Sequence, residues 1–202
     1  MRLVLATRND HKVRELERLM PGVGLEALPA AVVLPPEDGD TFAANALGKA
    51  RAAAAALGRP AIADDSGIEA AALGGAPGIF SARYAGPSAT DADNLAKLRA
   101  EAPAGSALRY VCVMAYAMPA GDEITFTGTC EGTLSADARG AGGFGYDPAF
   151  LPDDYADGRT MAELSDTEKD SISHRGRAAR ALLAWLRQRD GAGGGAALEA
   201  GA

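Results

Sequence analysis

Cysteine is nearly absent from this 202-residue chain: Cys112 and Cys130 are the only two, and their spacing matches no metal-binding pattern. Two buried free thiols in a reducing cytosol are the expectation, although the sequence leaves a structural disulfide open. Aromatic residues make up only 5% of the chain, so its core must be built from Ala, Leu and Val. Cations are also in deficit, with 20 Lys and Arg against 27 Asp and Glu. A net charge of −7 argues against duplex nucleic acid as a partner, because such binding relies on many phosphate-neutralising cations. It does not argue against a small anion, which a few clustered cations can hold. No apolar run reaches the length of a membrane span. The first strand, residues 2–6, has no long apolar region after it, so no signal peptide is expected.

What is present is a globular composition, 48% hydrophobic, long enough for one large domain or two small lobes. Residues 60–67 form the focus: Pro60-Ala61-Ile62-Ala63 reads as a buried strand that stops at Asp64-Asp65, followed by Ser66-Gly67. Alone, these residues read as a polar turn. Adjacent acids at a strand end also suit a metal or a cation, and open α/β sheets place their chemistry at such ends. Because side chains alternate along a strand, only one acid of the pair can face a cleft.

The surrounding segments add weight to the second reading. Residues 3–6 read as a strand, 7–10 as a loop and 11–20 as a helix with Val13, Leu16 and Leu19 inward and Asn9 or Asp10 as N-cap. His11, Lys12 and Arg14 then sit in the first turn, where the helix dipole disfavours cations; a bound phosphate would account for them. The glycine pattern of a Walker loop is missing. A weak second strand lies within 25–34. An Ala-rich helix spans 42–57, with Gly58 and Pro60 as stop signals and a polar stripe of Thr41, Asn45 and Lys49. Thr90 or Asp91 caps another helix, running to about Ala102. Residues 107–118 and 123–134 form an antiparallel pair, which makes the sheet mixed. Gly140 to Pro148 is a glycine-rich loop carrying Phe144 and Tyr146, suited to close approach and stacking. A last helix opens with the capping box Ser165-Asp166-Thr167-Glu168. Lys169 and His174 are five residues apart and would not stack on one ideal helix. The chain divides into a two-lobed unit, 1–190, and a Gly/Ala-rich tail, 191–202, expected to be disordered.

The segments Leu5-Ala6-Thr7-Arg8-Asn9 with Lys12, Asp40-Thr41-Phe42 with Asn45-Ala46 and Lys49-Ala50, and Ala63-Asp64-Asp65-Ser66-Gly67 occur in that order. They are followed by Gly74-Gly75-Ala76-Pro77-Gly78, Ser81-Ala82-Arg83-Tyr84, Gly142-Gly143-Phe144-Gly145-Tyr146-Asp147-Pro148, and Glu168-Lys169 with Ser173-His174-Arg175-Gly176. Together they resemble the inosine/xanthosine triphosphate pyrophosphatases, which act on non-standard purine nucleotides. The resemblance implies an α/β fold with an elongated, mixed, twisted sheet flanked by helices in two lobes, and a cleft between the lobes. It also implies a cytoplasmic homodimer that uses Mg²⁺ to cleave ITP, dITP or XTP to the monophosphate and pyrophosphate. On that resemblance, Thr7, Arg8, Asn9, Asp10, His11 and Lys12 bind the triphosphate, and Glu37 and Asp65 hold Mg²⁺. Asp65 is also the base, Ser66 contacts substrate, and Phe144, Gly145, Tyr146 and Asp147 sandwich and read the base. Lys169, His174 and Arg175 complete the base and phosphate contacts, while Lys12, Lys49 and Lys169 neutralise developing charge.

Arg8 replaces a common Gly of the family, and Ala44 replaces a common Glu, which leaves one carboxylate of the usual acidic set missing. Asp38 remains an alternative to Glu37. Two other readings stay open at this point: a hydrolase of pyrimidine or methylated nucleotides, and a nucleotide-binding protein without turnover.

Overall fold

The computed structural model describes residues 1–195. Six strands form one sheet in the order β2-β1-β3-β4-β5-β6, from β1 (Arg2–Leu5), β2 (Gly24–Ala27), β3 (Ala61–Ala70), β4 (Ala107–Ala117), β5 (Glu123–Leu134) and β6 (Phe150–Pro152). The β1 strand runs parallel to β2 and β3, whereas β3, β4, β5 and β6 pair antiparallel in turn. The helices are α1 (Asp10–Leu19), α2 (Phe42–Leu57), α3 (Asp91–Glu101), α4 (Asp166–Ile172) and α5 (His174–Gly195). The fold is the expected α/β class with a mixed sheet. No helix among the described residues is long and apolar enough to cross a membrane.

Period-two alternation assigns each strand residue to a layer. Val4 of β1 and Ala6 just beyond it, with Ala61, Ala63 and Val113, pack against Ala46, Ala50, Ala53 and Ala54 of α2. Leu3, Leu5, Ile62 and Met114 face the other way, against Leu16 and Leu19 of α1 and Leu182 and Leu186 of α5. A third cluster, with Leu95 and Leu98 of α3, closes the far end around Ile68, Leu108 and Phe150. The alanines of α2 let it lie close to the sheet. At Gly128 the start of α5 approaches still closer: a Cβ there would stand 2.2 Å from the His174 carbonyl oxygen. Cys112 and Cys130 are free and buried, and burial is the main reason both thiols are pushed up to about 12.

Three expectations are corrected. The central strand does not stop at Asp64-Asp65; it runs on through Ser66 and Gly67 to Ala70. Its pairing with β4 is continuous from Ala61↔Ala117 to Ala70↔Leu108, and such a ladder satisfies the backbone whatever the turn preference of the side chains. Next, the last helix is two helices. The Ser165 capping box opens α4 as expected, but Ser173, at φ −60° and ψ 150°, breaks the chain before α5. Finally, residues 191–195 continue α5 where the tail was expected to begin, since extending an existing helix needs no new nucleus. Residues 196–202 of that tail lie outside the described residues.

Candidate active site

The parallel neighbour of β3 ends early. The β1 register covers only Val4↔Ala61 and Leu5↔Ile62, and the next backbone pairing on that edge of β3 is the bridge Glu69↔Pro77, so the stretch around Asp64 to Gly67 has no strand beside it, next to the loop that leads into α1. A cavity of about 590 Å³ opens there, within the size range of ligand pockets. Alternation then separates the two acids. Asp64 shares the Ile62 face and points toward α1 and α5, where it is fully buried. Asp65 shares the Ala63 face, points toward α2 and lines the cavity.

Asp65 is held on both oxygens. Asn45 Nδ2 donates to Oδ2 at 2.9 Å and the Ser66 N–H donates to Oδ1 at 3.0 Å. Lys49 Nζ lies 3.9 Å from Oδ1, contacts Glu37 and donates to the Asp64 carbonyl oxygen at 2.7 Å. Of the polar stripe of α2, Lys49 lines the cavity, Asn45 holds Asp65, and Thr41 caps the helix. Burial raises the Asp65 carboxyl above its usual range, and the Lys49 charge and the Asn45 bond do not offset it. Glu37 goes the other way: burial opposes its charge, but Lys49 outweighs burial and lowers it. The Glu37 loop is tied down by Arg83 Nη2, which donates to the Glu37 carbonyl oxygen at 2.8 Å.

Behind the cavity runs a chain of alternating charge. Lys12 Nζ stands 3.1 Å from Asp64 Oδ2, and Arg175 Nη2 donates to the same oxygen at 3.0 Å. Arg175 Nη1 reaches Glu15 Oε2 at 2.6 Å, Lys169 Nζ reaches Glu15 Oε1 at 2.7 Å, and Lys169 Nζ also reaches Asp147 Oδ2 at 2.7 Å. Burial opposes the charge of Asp64 and Glu15, yet the neighbouring cations outweigh it and hold both carboxyls below their usual range. His174, stacked on Tyr110 at 4.5 Å, is kept neutral by burial and then by the charges of Arg175 and Lys169. Asp64 Oδ1 and His174 Nδ1 are the buried polar side-chain atoms left without a hydrogen-bond partner among the described residues. Both are at this site, where a ligand, an ion or water can meet them.

The aromatic loop forms the other wall. The Phe144 N–H donates to Asp147 Oδ2 at 2.9 Å, Tyr110 donates to Asp147 Oδ1 at 3.0 Å, and Tyr146 donates to the Ser81 carbonyl at 2.7 Å. Thr7, Arg8, Asn9, Lys12, Glu37, Lys49, Asp65, Ser66, Phe144, Gly145, Tyr146, Asp147, Lys169, His174 and Arg175 all line the one cavity.

Two expected residues do not. Asp10 and His11 are exposed and outside the lining, at the start of α1, which Asn9 caps. The Asn9 side chain accepts from the His11 and Lys12 N–H groups at 2.9 and 3.2 Å, so these two amides are already engaged. Ala44 is exposed and outside the cavity lining. Arg8 Nη2 donates to the Val32 carbonyl at 2.7 Å, bracing the 29–34 segment of the wall. Glu37 lines the cavity and Asp38 does not.

Glu15, Asp91 and Tyr110 were missed. Glu15 carried a signal: with Leu16 and Leu19 it forms the buried stripe of α1, where a charge requires a partner. The sequence offers Asp91 only as a possible cap; Thr90 caps α3, and Asp91 accepts from the Gly145 N–H at 2.9 Å.

The Ham1 family model matches residues 3–185. The dITP/XTP pyrophosphatase of Symbiobacterium thermophilum is 51% identical over 181 residues, covering 88% of this chain and 90% of that protein. The dITP/XTP pyrophosphatase of Syntrophobacter fumaroxidans is 47% identical over 205 residues, covering 93% and 85%. Among solved structures, a HAM1 protein from Coxiella burnetii superposes with a TM-score of 0.82 at 39% identity, covering 93% of this chain and 99% of that one. Sequence and fold agree along nearly the whole length, and the chain belongs to the Ham1 family.

Proposed function

We propose that this protein hydrolyses deaminated purine nucleoside triphosphates, ITP, dITP and XTP, to the monophosphate and pyrophosphate, clearing them from the nucleotide pool. One observation carries the reading: a single cavity joins a buried, oriented carboxylate beside lysines to an aromatic wall rich in hydrogen-bond donors. Relatives that share half of the sequence bear the same activity in their names.

At the phosphate end, Lys12 and Lys49 face the anionic chain. Asp65, fixed by Asn45 and Ser66, takes the proton of a water that attacks the α-phosphorus. The bond to the bridging oxygen breaks, and pyrophosphate leaves with that oxygen, its charge met by the lysines. Burial raises the proton affinity of Asp65, which suits a base. Lys12, Lys49, Lys169 and Arg175 each already face a carboxylate, so a triphosphate calls for a further cation. Glu37 and Asp65 supply hard oxygen ligands, and no group of three or more His, Cys, Asp or Glu among the described residues is placed to hold a metal. One or two carboxylates completed by substrate phosphates is the set that Mg²⁺ takes. When bound, Mg²⁺ would clamp phosphate oxygens and acidify water.

At the base end, Asp147 already accepts three donors, while Lys169 and Arg175 bring donors to the wall. A 6-keto oxygen matches these donors; a 6-amino group leaves one unpaired, at about 1–3 kcal/mol. The 1–190 region acts as one two-lobed unit, supported by β3 and β4 contributing to core clusters at both ends of the sheet. The homodimer rests on the family likeness, and the cytoplasmic site on that likeness and the two free thiols. A panel of dITP, XTP, dATP, dTTP and UTP tests the assignment: dITP and XTP should turn over fastest, and dTTP or UTP matching dITP would overturn it.

A further inference from the structure

A ring that receives a planar ligand works best when it is already held in place. The loop bonds to Asp147 and Asp91 fix the backbone of residues 144 and 145, and the cavity-lining Lys169 Nζ and Arg175 Cζ lie 5.2 and 5.7 Å from the Phe144 ring centroid, but neither cation stacks a flat surface on the ring. The His11 ring bears on it directly: the two are stacked, with centroids 5.1 Å apart and planes 25° from parallel. Phe144 lines the cavity and His11 does not, so His11 backs the ring from outside. His11 is itself well set. Asn9 takes its N–H at 2.9 Å, Arg14 Nη2 lies 3.0 Å from its Nδ1, and Lys12, the next residue, ties the same helix turn to Asp64.

We propose that His11 is a positioning residue for base binding: stacked behind Phe144, it pins that ring against the cavity and joins the aromatic loop to the helix that begins at the phosphate end. This rests on the reading that Phe144 takes the nucleobase. It also gives His11 a different task from the triphosphate contact that the family resemblance implies. An aromatic pair of this kind corresponds to roughly a 2- to 12-fold effect on an affinity.

The test is calorimetric titration with Ca²⁺ in place of Mg²⁺, which supplies the further cation a triphosphate calls for; chromatography of the ITP recovered afterwards checks that nothing has turned over. ITP and inorganic tripolyphosphate are each titrated into the full-length wild type, His11→Ala and His11→Phe. The expected result is ITP binding weakened roughly 2- to 12-fold in His11→Ala, regained in His11→Phe, with tripolyphosphate binding alike in all three. The inference is overturned if His11→Ala binds ITP as the wild type does. It is equally overturned if His11→Phe fails to regain affinity, or if tripolyphosphate binding falls in parallel, which would make His11 a phosphate contact. Wild type that binds tripolyphosphate but not ITP would instead sink the functional reading and this inference with it.

Discussion

Asp65→Asn is expected to lower kcat for dITP by roughly 10²–10⁴-fold, the usual worth of a positioned general base. The amide keeps the shape of the carboxylate and can still accept the Ser66 N–H, but it cannot take a proton from water. Its NH₂ then meets the Asn45 NH₂, which cannot turn away freely because Asn45 Oδ1 is held by the Gly39 N–H at 2.9 Å. One unpaired donor costs about 1–3 kcal/mol, which a fold stable by about 5–15 kcal/mol survives. The variant should therefore melt a few degrees lower and still bind ITP. Single-turnover kinetics beside a thermal melt separates chemistry from folding. Activity within a few-fold of wild type, on a folded variant, would remove Asp65 as the base.

Glu15→Ala should cost more in stability than any surface change, about 3–5 kcal/mol. Glu15 is buried between Lys169 and Arg175; without it both cations stay buried with one carboxylate fewer between them. A buried ion pair is weak evidence of net stabilisation, but removing one partner exposes the full desolvation cost of the other. The pH dependence gives a second handle. Burial raises the Glu15 pKa, yet Arg175 and then Lys169 outweigh it, leaving the folded pKa below the ordinary value of 4.5. Its contribution is thus complete above about pH 4.5 and is lost as pH falls through the lower folded value. Urea melts of wild type and variant should show a gap that is constant near neutrality and narrows in acid. A gap under about 1 kcal/mol, or one that does not narrow, would contradict the buried-bridge role.

The α2 helix was legible to the residue because each end carries its own signal, Thr41 at the start and Gly58 in the left-handed conformation at the end. The antiparallel β4–β5 pair was legible for a similar reason: β-rich runs flank the Pro119-to-Asp122 turn. Residues 64–67 were misread as a strand end because Asp, Ser and Gly favour turns locally, while the ladder to β4 that overrides them is a long-range partner. Yet only Asp65 of the two acids lines the cleft, as the sequence predicts for a pair on one strand, since alternation depends on the strand alone. The break at Ser173 leaves no composition signal; it is what allows Lys169 and Arg175 to converge on Glu15 from two helices. His11 shows the reverse limit. A motif gives sequence neighbours a shared role, but a helix turns adjacent side chains about 100° apart, so Lys12 enters the site while His11 stands behind Phe144.

The most direct measurement is incubation of the purified protein with dITP and Mg²⁺, resolving the products by phosphate chemistry. Attack at the α-phosphorus, with Asp65 and the lysines placed as they are, predicts equal amounts of dIMP and pyrophosphate with no orthophosphate released at early times. Orthophosphate with dIDP as the first products, or no turnover at all, would contradict the central claim.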